Sequence, residues 1–74
     1  MPYIAIKSYP KDEEAKKRMA DKIYQLFMEE WNLPPQAISI SMEAVEPENW
    51  HLVKENEIYA NPGKMMIVEG EKKY

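Results

Sequence analysis

Residues 3–9, YIAIKSY, alternate Ile4 and Ile6 with Ala5 and Lys7, the period-two pattern of a strand with one apolar and one mixed face. Pro10 closes the segment, since proline fixes φ and brings no N–H to a ladder. From Asp12 to Asn32 the period lengthens. Ala15, Met19, Ile23, Leu26, Phe27 and Trp31 recur at helical spacing and form one apolar stripe, predicted to be the core face of an amphipathic helix. Asp12 is placed to cap the first turn, with Glu13 and Glu14 where the helix dipole favours anions. Asn32 and the Pro34–Pro35 pair stop it. Residues 37–45, AISISMEAV, return to period two, with Ile38, Ile40, Met42 and Ala44 set against Ser39, Ser41 and Glu43.

A strand, a helix of about five turns and a second strand predict a right-handed βαβ crossover with the strands parallel. The helix stripe covers one sheet face, leaving the other face and both edges unprotected. In the tail, Pro47 opens a short helix holding Trp50. Glu57–Ala60 and Met65–Val68 then flank Asn61-Pro62-Gly63-Lys64, where proline and glycine suit a type II turn, so a short hairpin is predicted there. The final EGEKKY is expected to fray. The fold class is therefore α+β, a single domain over 1–74. It comprises a βαβ unit with parallel strands, a short C-terminal helix and a hairpin, its sheet completed by oligomerisation.

Size and composition sharpen that last point. A chain of 74 residues buries only about 60% of the surface its unfolded form exposes. No cysteine is present to form disulfides or thiolate metal sites, and the single His51 makes no histidine cluster. Self-association is the remaining way to stabilise so small a domain. The net charge of −3 comes from interleaved acids and bases, which excludes a nucleic-acid stripe and a polybasic membrane patch. No apolar run approaches the roughly 18 residues of a spanning helix, and Lys7 interrupts any signal-peptide core, so the expected location is the cytoplasm.

The opening decapeptide, MPYIAIKSYP, carries the candidate chemistry. Proline adds little to a strand except at an edge or its first residue. Once Met1 is removed, however, Pro2 bears a free secondary amine. In a desolvated pocket the charged form is disfavoured, the pKa falls toward neutrality, and the amine becomes a general base able to move a proton between atoms of a substrate. A chain that keeps Met1 has an amide at that nitrogen and no base.

Pro2 opening the first strand, the capped helix at once after it, the short second strand and the aromatic at Trp50 together resemble the tautomerase superfamily. The likeness is to its 4-oxalocrotonate tautomerase-like family, over essentially the whole chain. MPYIAIKSYP, LPPQAISISMEAVEPENW and EIYANPGK look most like the small bacterial dimeric branch. The resemblance implies an isomerase that interconverts enol and keto forms of a 2-keto acid, aryl-substituted in the dimeric branch, through the proline amine, with no metal or organic cofactor. It implies a small-molecule substrate and a homo-oligomer. Dimer is favoured over hexamer because the extended tail covers the surface on which dimers would stack.

Residue by residue, Pro2 matches the family base and Trp50 the aromatic that walls the pocket. Ser39 falls on the position of the family's strand-two arginine. The other family arginine is missing; Lys11 lies nearest and could hold a carboxylate as a point charge, or be simple solvated decoration. The Tyr9 backbone N–H would donate to a developing oxyanion, and Tyr3 would contact substrate or fill the sheet face. Arg18, within the helix, reads as a solvated residue, as does His51. Two rival readings remain. The same fold could hydrate, dehalogenate or decarboxylate a small unsaturated or keto acid, with Glu43 or Glu46 activating water, or the chain could be a non-catalytic oligomeric module.

Overall fold

The computed structural model describes every residue from Met1 to Tyr74. Strand β1 (Tyr3–Ser8) lies parallel to β2 (Ser39–Ala44), with Tyr3 beside Ser39, Ile6 beside Met42 and Ser8 beside Ala44. The ladder runs one step past each end. Ser39 N–H donates to the Pro2 carbonyl at 3.2 Å and Val45 N–H to the Ser8 carbonyl at 2.8 Å. In a parallel pair, alternate residues turn both backbone groups to the same neighbour. These two bonds therefore fix the even-numbered residues of β1 toward β2 and leave the N–H and C=O groups of Tyr3, Ala5 and Lys7 on an open edge.

Helix α1 (Glu13–Glu30) joins the two strands as the periodicity predicts, and the Asp12 carboxylate accepts from Ala15 N–H at 2.7 Å. Trp31 N–H still reaches the Phe27 carbonyl, and Asn32 then turns left-handed at φ 53°. Asparagine tolerates that conformation better than most residues, which ends the helix there. A 3₁₀ turn at Pro35–Ala37 delivers the chain into β2, so the strand starts at Ser39.

The expected core stripe divides. Ala15, Ile23 and Phe27 are half-buried, as are Ile4, Ile6, Ile40 and Met42 on one sheet face. Met19 and Trp31, both expected in the core, are 53% and 63% exposed, and Leu26 is similarly open. Helix α1 packs against the sheet too sparingly to cover its whole stripe. Only Val53 is fully buried. An ordinary globule of 8.8 kDa exposes about 4,800 Å², whereas this chain exposes 6067 Å². Its radius of gyration is 13.9 Å against about 11 Å for a compact chain of this length.

The tail corrects one expectation. A 3₁₀ turn, Pro47–Asn49, leads into α2 (Trp50–Val53), and the winding continues as a wider π-helix over Lys54–Ile58. The stretch expected as the first hairpin strand, Glu57–Ala60, is thus helix and bend, and Pro62–Lys64 is a 3₁₀ turn within the approach to the hairpin. The hairpin is β3 (Ile67–Val68) with antiparallel β4 (Glu71–Lys72), joined by Glu69 and Gly70 at φ 48° and 84°. Two consecutive positive φ values make the two-residue turn whose twist matches a hairpin. EGEKKY, expected to fray, supplies that turn and β4, and Lys73 N–H donates to the Met66 carbonyl at 2.7 Å. Lys7 pairs with Glu57, tying the π-helical segment to the sheet face away from α1. Glu69 accepts from the Tyr59 hydroxyl and pairs with Lys54 at 3.7 Å. No helix is long and apolar enough to cross a membrane.

Candidate active site

The predicted site residues fall into two groups at opposite ends of the sheet. At the strand starts, Pro2 is half-buried behind a fully exposed Met1. Ser39 is the register partner of Tyr3. Both side chains lie on the face away from α1, and the Tyr3 hydroxyl hydrogen-bonds Ser41 Oγ at 2.8 Å.

At the strand ends, Tyr9 meets Trp50 edge to face, with ring centroids 5.4 Å apart and planes at 84°. Such a pair fixes the indole, since edge-to-face rings gain quadrupole attraction beyond area burial. Tyr9 N–H makes no backbone hydrogen bond and is a free donor beside this pair. Lys11 borders the largest cavity, a groove of about 420 Å³, within the range of small-molecule sites. Ile6 and Met42 from the sheet and Ala15 and Met19 from α1 supply its apolar lining.

The two groups do not meet within one chain. Pro2 and Tyr9 are separated by the length of β1, about 20 Å at the rise of an extended strand. Ser39 and Tyr3 stay with Pro2, whereas Tyr9, Lys11 and Trp50 lie at the far end. The candidate base at one end and the groove of small-molecule size at the other are not brought together within one chain.

The groove's charge was not legible in the sequence. Lys11, Lys16, Arg18 and Lys22 all border it and no acid does, in a chain whose net charge is −3. Arg18 is exposed, as expected of a helix surface, yet it stands on this rim. Ala15, Arg18 and Lys22 share one flank of α1, but Lys11 lies ahead of the helix, and no local spacing records where that flank meets the sheet. Glu43 and Glu46 do not border the groove. Glu43 sits beside Lys7 in the register, Glu46 precedes the Pro47 turn, and His51 is exposed.

No family model matches the chain. Among characterised proteins it is 35% identical over 60 residues to Tautomerase PptA of Escherichia coli O127:H6, covering 78% of this chain and 80% of that protein. The Tautomerase PptA proteins of Escherichia coli SMS-3-5 and Shigella sonnei are 33% identical over the same shares. With its parallel strand pair bridged by a capped helix, the chain has the βαβ tautomerase fold and is an enzyme of the isomerase class. It belongs to the tautomerase superfamily, in the 4-oxalocrotonate tautomerase-like family.

Proposed function

We propose that the enzyme interconverts the enol and keto forms of a 2-keto acid, aryl-substituted, with the amine of Pro2, freed by removal of Met1, as general acid and base. The carrying observation is the division of the site. The proline end and the groove end lie at opposite ends of one strand whose outer edge is unpaired. Antiparallel pairing of two such edges sets Pro2 of one copy beside Tyr9, Lys11 and Trp50 of a second copy. It also covers apolar surface that the single chain leaves bare, and the excess over a compact monomer, roughly 1,300 Å², is of the order one partner buries in a stable interface. The assembly proposed is a homodimer.

In that arrangement the indole of Trp50 excludes water from the amine, disfavouring its charged form. The neutral amine takes the enol O–H proton and, as the ammonium, delivers a proton to the adjacent carbon, so charge and protons balance over one turnover. Tyr9 N–H is the donor available to the enolate oxygen, while the Ser39 hydroxyl and Tyr3 border the proline end on the sheet face away from α1. A cation at the groove holds the carboxylate.

The test is ketonisation of an aryl enolpyruvate by Met1-free protein, by Pro2→Ala and by protein that keeps Met1. Loss of a positioned general base lowers kcat by roughly 10²–10⁴-fold, and both altered forms are expected to show it. Equal rates in all three would remove the proline mechanism.

A further inference from the structure

Arg18 is the chain's one arginine. It stands on the groove rim with Lys11, above the apolar surface of Ile6 and Met42. Of the cations there, Lys16 is engaged by Glu13 at 3.2 Å. Arg18 enters no ion pair and no side-chain hydrogen bond, although Glu14, four residues earlier, is spaced to pair with it along the helix. Its fork of donors is therefore unspent. A guanidinium presents parallel N–H groups that match both oxygens of a carboxylate, whereas a lysine ammonium acts as a compact point charge. An apolar surface beside such a pair excludes water and strengthens it.

We propose that Arg18 is the carboxylate receptor of this tautomerase, gripping the substrate carboxylate through two parallel hydrogen bonds while Lys11 adds positive field at the same groove. The inference rests on the tautomerase reading above and deepens it. It assigns the anion-binding role to the helix flank instead of the loop after β1 or strand β2. The substrate class that follows is a mono-anionic enol or keto acid with an apolar body lying over Ile6 and Met42. A neutral ketone or ester of the same shape lacks the recognised group.

The experiment compares Met1-free wild type, Arg18→Gln, Arg18→Lys and Lys17→Ala on an aryl enolpyruvate and on its methyl ester. Lys17 lies off the groove and controls for net charge. Arg18→Gln is expected to raise KM for the acid by roughly ten- to a hundredfold, the worth of a charge-assisted hydrogen bond. Its kcat and its kinetics on the ester stay near wild type, and Arg18→Lys recovers part of the loss. An unchanged KM in Arg18→Gln, or the same loss on acid and ester, would overturn the assignment. Pro2→Ala, run on both substrates, separates the two ideas. Survival of its activity defeats the proline mechanism, whereas the acid-to-ester contrast at position 18 reports on the receptor alone.

Discussion

At the scale of single residues, the C-terminal hairpin is held by one shared acid. The Tyr59 hydroxyl, and after it Lys54, hold the Glu69 carboxyl below its ordinary value, and the same hydrogen bond raises the Tyr59 phenol. A lowered acid stabilises the folded state above its unfolded pKa and loses that contribution as pH falls through the folded value. A raised phenol stabilises below its unfolded value, near 10, and loses it as pH rises through the folded one. The tie is thus intact between these limits. Tyr59→Phe removes the larger cause on Glu69, so the acid-side loss of amide protection at Lys73, whose N–H bonds the Met66 carbonyl, should move to higher pH. An unmoved midpoint in hydrogen exchange would show that Tyr59 does not set it. The same scale explains which site residues could be read early. Pro2, Tyr9 and Trp50 stand out by chemistry or order along the chain. Arg18 does not, because its place on the groove depends on how α1 tilts across the sheet, which no local spacing records.

Among elements, α1 and the parallel pair were legible because each carries a single unbroken period and a clear start or stop. Asp12 shows how local that information is: its carboxylate satisfies an N–H that the first helical turn leaves without a partner. Asp12→Ala should cost about 1 kcal/mol and lower Tm by roughly 4–8 °C in a domain of this size. Asp12→Asn, an equally good cap, should keep most of it, and thermal melts followed by circular dichroism at one fixed concentration decide. The tail was legible only in kind. Asn61-Pro62-Gly63-Lys64 has stronger turn chemistry than Glu69-Gly70, but proline at 62 also suits the first position of a 3₁₀ turn, and that use wins. Glycine at 70 alone supplies the freedom a second consecutive positive φ requires. Short apolar runs such as EIYA fit helix and strand equally, and here the winding begun at Trp50 continues through Ile58.

For the whole molecule, the open edge of β1 is the decisive feature. Ala5 turns its N–H outward, away from β2, so proline there removes an edge donor without taking a bond from the existing ladder. Ala5→Pro is expected to sediment as a monomer at micromolar concentration, retain its helical signal and lose tautomerase turnover. A dimeric, active Ala5→Pro protein would show that β1 is not the joining edge. Half the evidence for assembly was already in the chain length and the unguarded edges. The other half, the exposure of Leu26 and Trp31, required the packing of α1 on the sheet. Under the proposed pairing, with the proline end and the groove end of one strand a full strand length apart, a lone chain has no working centre and each encounter creates two. Below the concentration at which pairs persist, turnover should therefore climb with the second power of protein dose, and the cell's output of this isomerase should follow abundance more steeply than that of a self-sufficient enzyme.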